Sequence, residues 1–199
     1  MGQKLEKDLE LVGSFFAMWD EQAYNGVTSV EAWNQLFGTT AAQHREVKKQ
    51  TVVPIRVMLP DEYKFLVYVD EFMSATQQRY ISRITPLYKF KSNGRAIISN
   101  LEFIGDSGMA PSPEEWFKID LPAGEYAVQL YQMDYLNPSI SDEIELAGGR
   151  TLEEINRELP DSAEAIAVGI YSNLQSEVEF TTELDAFEDY DPDVEIITA

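Results

Sequence analysis

Gly105-Asp106-Ser107-Gly108 sets a serine hydroxyl among small turn-forming residues, and His44, the sole histidine, and Asp70 precede it in the chain. A serine nucleophile needs a base to take its proton and an acid to orient that base, so Ser107, His44 and Asp70 are the residue types such chemistry would use. The second candidate lies at the C-terminus, where Asp185, Glu188, Asp189, Tyr190, Asp191, Asp193 and Glu195 crowd into a short stretch. Acids at every second position of an extended chain stand about 6 to 7 Å apart on one side. That spacing is close to two phosphate steps along a nucleic-acid strand. Such an array could occupy a basic groove, with Tyr190, Phe187 and Ile196 as apolar anchors among the charges.

Two resemblances attach to these residues. Gly105-Asp106-Ser107-Gly108 resembles the nucleophile sequence of chymotrypsin-like serine proteases, which would imply a His, Asp, Ser triad from His44, Asp70 and Ser107. Met109, however, stands where that family has a further glycine to shape the oxyanion hole, and the stretch around His44 reads as helix. The four residues are therefore expected to be a loop, and no catalytic residue is assigned. Asp189, Asp191 and Asp193 are similar to the first half of an EF-hand calcium loop. Val194 replaces the turn glycine, Pro192 stiffens the middle, and the chain ends before the position of the bidentate glutamate. No metal and no cofactor is expected.

Charge organises the rest of the reading. The chain of 199 residues holds 15 Lys+Arg and 35 Asp+Glu, a formal charge of −20. From Glu158 to Ala199 there are 12 acids and no Lys or Arg, which leaves 15 basic against 23 acidic residues, or −8, for the first 157. Between Glu71 and Glu102 the sign reverses, with Arg79, Arg83, Lys89, Lys91 and Arg95 and no acid. Overall anionic charge repels nucleic-acid phosphates and anionic membranes and speeds encounter with basic proteins. The expected partner is a basic protein, with no direct nucleic acid and no membrane. The Arg79–Arg95 segment could also receive the tail of its own chain or of a neighbour, giving a homo-oligomer, although solvent-facing strand positions explain it more simply. There are no cysteines, which removes thiolate chemistry and disulfides. No apolar run approaches the length of a membrane-spanning helix and no signal-peptide core opens the chain, so a cytoplasmic protein is expected.

The elements that must position these residues are read from periodicity. Leu5, Leu9, Val12, Phe16 and Trp19 fall about one helical turn apart. Thr28-Ser-Val-Glu31 and Thr40-Ala-Ala-Gln43 each announce a further helix by a capping-box pattern. From Thr51 the period is two: Val53, Ile55, Val57 and Leu59, then Tyr63, Phe65, Val67 and Val69 after a turn at Leu59-Pro60-Asp61, predict two antiparallel neighbours. Asn93-Gly94 predicts a hairpin between Leu87–Phe90 and Ala96–Ile98, and Pro122-Ala-Gly124 predicts another between Trp116–Leu121 and Tyr126–Leu130. A short helix is expected near 151–158, then strands at Ala165–Tyr171 and Val178–Leu184. Trp19, Trp33 and Trp116 could form a sugar-binding platform, but two of them fall on apolar helix faces and are expected in the core.

The fold class expected is α+β, mainly β: an antiparallel β-sandwich of about eight strands with two or three N-terminal helices and an acidic C-terminal tail. The expected divisions are a helical segment over 1–50, a sandwich domain over 51–184 and the tail over 185–199. Trp116-Phe-Lys-Ile-Asp-Leu-Pro-Ala-Gly-Glu-Tyr-Ala-Val-Gln-Leu-Tyr131 resembles the strand, Leu-Pro-x-Gly-[Asp/Glu]-Tyr turn, strand segment of the competence-associated nuclease inhibitor family and of some toxin-immunity proteins. That resemblance implies a compact β domain that neutralises a toxic partner by binding. The leading expectation is a non-enzymatic acidic inhibitor or immunity-type protein acting on a basic, nucleic-acid-acting partner. The alternatives are a β-sandwich hydrolase or carbohydrate-binding module using carboxylates, and a subunit of a larger phage or host assembly.

Overall fold

A computed structural model describes residues 2–57, 62–78, 80–105, 115–135, 164–172 and 179–189. The strands are β1 (Gln3–Glu10), β2 (Phe16–Asp20), β3 (Val52–Ile55), β4 (Glu62–Val69), β5 (Ile81–Ile84), β6 (Leu87–Asn100), β7 (Phe117–Asp134), β8 (Glu164–Tyr171), β9 (Phe180–Thr181) and β10 (Glu188–Asp189). Helices α1 (Val30–Phe37) and α2 (Thr40–Lys48) lie between β2 and β3, and the one-turn α3 (Ala75–Gln78) follows β4. All the strands belong to one sheet ordered β1-β4-β8-β7-β6-β2-β3, with β5 on β7, β10 on β5 and β9 on β6. The pairs β4/β8 and β6/β9 are parallel and the others antiparallel. The sheet is thus mixed and curls into a half-barrel, where an antiparallel sandwich was expected.

The largest departure is at the N-terminus, where a strand pair replaces the helix predicted over Leu5–Trp19. Leu5 and Leu9, four apart, share a face in a strand as well as in a helix, so that spacing alone does not separate the two. The deciding pattern is alternation: Lys4, Glu6, Asp8 and Glu10 are exposed, Leu5 and Lys7 half-buried and Leu9 buried. Phe16–Trp19 is buried throughout because β2 lies between β3 and β6 and packs in the core that includes Phe37 and Val47 of the two helices. An unbroken apolar run marks a covered strand. Both predicted helices form, each capped one residue from the position its capping box suggests: Ser29, one later than Thr28, accepts from Ala32 N at 3.2 Å, and Thr39, one earlier than Thr40, accepts from Ala42 N at 3.2 Å.

Both predicted central hairpins are absent. β6 and β7 run through the Asn-Gly and Pro-x-Gly sequences as one long antiparallel ribbon, with Ser92 opposite Gly124 and Gly94 opposite Leu121. The two turn signals lie face to face and together make a bulge, where a strand tolerates a residue without an N–H and a glycine at positive φ. Gly94 has φ +132°. Asp20, fully buried, fixes this bulge by accepting from Asn93 N (2.6 Å), Asn93 Nδ2 (2.9 Å) and Ala23 N (2.8 Å). Likewise β3 and β4 are not neighbours, since β3 pairs with β2 and β4 lies between β1 and β8. The strand expected at Ala165–Tyr171 forms as β8; of the strand expected at Val178–Leu184, the described residues contribute the two of β9, and Val178 lies outside them. The helix expected near 151–158 and the turn at Leu59–Asp61 lie outside the described residues.

One face of the sheet holds the main core, built from Phe16, Trp19, Phe65, Phe90, Ile98, Val128 and their neighbours, with Phe37 and Val47 delivered by the two helices. A second apolar cluster on the other face joins Leu66, Tyr68, Tyr80, Tyr131 and Met133. Among the described residues, no helix is long and apolar enough to cross a membrane.

Candidate functional site: an anchored acidic strap

Residues 179–189 cross the end of the sheet as a strap that the sequence reading divided at Leu184. β9 lies parallel to the start of β6, pairing Phe180 with Leu87 and Thr181 with Tyr88. The Tyr88 hydroxyl donates to Glu183 O at 2.9 Å. Burial, and then the nearby Asp185 and Glu183 carboxylates, raise the pKa of this phenol, so it stays protonated and keeps that bond. Leu184 and Phe187, three apart, are buried in the main core. Arg83 Nη2 donates to Phe187 O at 2.7 Å while its guanidinium sits 5.7 Å from the Phe187 ring centroid. β10 then pairs with β5, Glu188 opposite Ile84 and Asp189 opposite Arg83. Glu179, Glu183 and Asp185 remain exposed.

The strap therefore has two faces, one apolar and locked to the core, the other acidic and open to solvent. Asp185, Glu188 and Asp189 belong to it, while Tyr190, Asp191, Asp193 and Glu195 lie outside the described residues.

Three described cations of the central basic segment, Lys89, Lys91 and Arg95, are ion-paired within the chain. Lys89 and Lys91 reach Glu125 at 2.7 and 3.6 Å. The hydrogen bond from Lys89 holds the Glu125 carboxyl below the usual carboxylate range. Arg95 bridges Glu21 at 3.1 Å and Asp120 at 3.2 Å, and Arg83 holds the strap. Arg79 lies outside the described residues. No local signal pairs Arg83 with Phe187, because their contact spans 104 positions.

The other candidates resolve into structural roles. Asp70, at φ +47°, accepts from Ser172 N (2.7 Å) and Ser172 Oγ (2.9 Å), where it caps the end of β8. His44 is half-buried on α2, and Ser107 lies outside the described residues. Trp19 is on a strand, not a helix; its Nε1 donates to Ser99 Oγ at 3.0 Å and its ring meets Trp116 edge-on at 5.8 Å. Trp33 Nε1 donates to Leu101 O at 3.0 Å, so these indoles pack inward and form no open platform. The buried carboxylates Asp20 and Glu46 are held by structural donors, Glu46 by Lys49 at 2.7 and 2.9 Å and by the Tyr24 hydroxyl at 3.1 Å. No group of three or more His, Asp or Glu that could hold a metal ion occurs among the described residues.

No protein-family profile and no characterised protein sequence matches the chain. Two solved structures are similar to the chain at a distance. One is ComJ from Bacillus subtilis, inhibitor of the DNA-degrading activity of NucA, at 12% identity and TM-score 0.47, covering 87% of this chain and 99% of ComJ. The other is the product of crocagin biosynthetic gene J, at 13% identity and TM-score 0.47, covering 85% of this chain and 97% of that one.

Proposed function

We propose that the chain is a non-enzymatic acidic binding protein that neutralises a basic, nucleic-acid-acting protein by occupying its phosphate groove. The observation that carries this reading is the division of charge. Lys89, Lys91 and Arg95 are ion-paired within the chain and Arg83 holds the strap, whereas Glu179, Glu183 and Asp185 face solvent from that strap, anchored by Leu184 and Phe187. Anchoring matters because a free acidic tail loses conformational entropy on binding, and a docked one has already lost it. Beyond the strap the sequence adds Asp191, Asp193 and Glu195 and no cation. A one-signed array of this kind steers a basic partner and competes directly with phosphates.

The test is capture from a lysate of the source organism at low and high salt, with the captured protein then purified and assayed for nucleic-acid binding. The comparison chain carries Glu179→Gln, Glu183→Gln, Asp185→Asn, Asp189→Asn, Asp191→Asn and Asp193→Asn. Truncation after Leu184 is unsuitable because it removes Phe187 from the core. A basic protein held only by the native chain, only at low salt, and displaced from nucleic acid by it supports the reading. Binding that ignores both salt and the substitutions refutes it.

A further inference from the structure

The two ends of the sheet differ in a way that bears on partner docking. β3, at one end, has four buried residues, includes Pro54 and lies against α2. A short strand with a proline is a blunted edge. β1, at the other end, has eight residues, no proline, and β4 as its one partner among the described residues. In an antiparallel edge strand every second residue turns its N–H and C=O away from the sheet, so β1 carries backbone groups able to receive another strand, apart from Glu10 O, which already accepts from Asn100 Nδ2 at 2.8 Å.

Its side chains say which strand that would be. Lys4, Glu6, Asp8 and Glu10 are exposed on one face at two-residue intervals, about 7 Å apart. Lys4 lies over the Tyr68 ring, 5.8 Å from its centroid, and Asp8 lies 3.7 Å from Lys64. Glu10 stands opposite Glu62, so the acidic face continues onto the neighbouring strand. Pairing with a second copy is disfavoured, because an antiparallel register that sets Lys4 against Asp8 sets Glu6 against Glu6. On these grounds we propose that β1 is a β-augmentation edge for an extended segment of the basic partner. That segment has Lys or Arg opposite Glu10, Asp8 and Glu6 and an acid opposite Lys4. The assignment rests on the basic-partner reading above and adds to it a second contact surface and a sequence pattern.

The test uses the full chain and the peptide Lys-Val-Lys-Thr-Lys-Val-Glu, with acetylated and amidated ends. A second peptide has the same sequence with alternate backbone nitrogens methylated, which keeps every charge and blocks the ladder. Binding is followed by isothermal titration at low salt and amide protection by hydrogen exchange. The plain peptide should bind and protect amides of Gln3–Glu10, and methylation should remove both effects. The variant Glu6→Gln/Asp8→Asn/Glu10→Gln should weaken binding about ten-fold, the effect of three exposed charge pairs together. Equal binding of the two peptides, or protection confined to Thr181–Phe187, overturns the edge and leaves the basic-partner reading standing. No binding of either peptide also overturns the edge, and the lysate capture then judges the basic-partner reading separately.

Discussion

Phe187→Ala tests whether the strap is held by its apolar anchor. Burying a phenyl side chain removes roughly 200 Å² from water, and about 25 cal/mol/Å² makes that worth about 5 kcal/mol as an upper bound. Core Phe→Ala substitutions cost about 3–5 kcal/mol, and a site at the rim of the core, 7% exposed, belongs at the lower end. The cation–π contact with Arg83 adds about 0.5–1 kcal/mol. The strap is a short peripheral element, so the loss should appear first as its local release, with the rest of the sheet intact. Hydrogen exchange of the variant should therefore show faster exchange over Thr181–Asp189, with β6, β7 and β8 unchanged. Urea unfolding should show a loss of about 3 kcal/mol, or less if the strap detaches before the global transition. Unaltered strap exchange together with a stability change below about 0.5 kcal/mol would refute the anchoring argument.

Asp20→Ala should cost about 2–4 kcal/mol in urea unfolding, because it leaves three donors at the bulge without their charged acceptor. Gly105→Ala should destabilise by more than about 2 kcal/mol, since φ is +77° and a Cβ would stand 2.6 Å from Val27 Cβ; a neutral result in thermal unfolding would contradict that geometry. Stability should also fall at alkaline pH. Burial raises the phenol of Tyr68 from the ordinary 10.0 to about 12 and raises those of Tyr24 and Tyr88 as well. The unfolded chain releases these protons near pH 10 while the folded chain keeps them. The contribution is thus complete below pH 10 and is lost as pH rises through about 12. Unfolding titrations paired with phenolate absorbance should show this, and an ordinary titration of all tyrosines near pH 10 in the folded chain would refute it.

Local signals in the sequence were read well and long-range ones poorly. Both helices are legible because capping is a contact across three residues, and the shift from Thr28 to Ser29 is within what two adjacent hydroxyl residues allow. β4 and β8 are legible from their alternation and β-branched content. The first twenty residues were not, because apolar residues four apart satisfy both periods. Asn93-Gly94 and Pro122-Ala123-Gly124 state that the backbone needs unusual geometry; only their meeting across the ribbon decides that a bulge, and no turn, meets that need. In the candidate site, the acid density was visible in the sequence. The clasp by Arg83, Tyr88, Leu184 and Phe187 was not, since it depends on bringing β5 and β6 to the strap.

The most direct measurement is a competition experiment on the captured partner. A fluorescent oligonucleotide is bound to that protein, and the chain is titrated in while anisotropy is followed at about 50 and 200 mM salt. The account expects displacement at low salt, weakened at least ten-fold at high salt, and absent for the chain with its strap and tail carboxylates changed to amides. Displacement that is unaffected by salt and retained by the neutralised chain would contradict it.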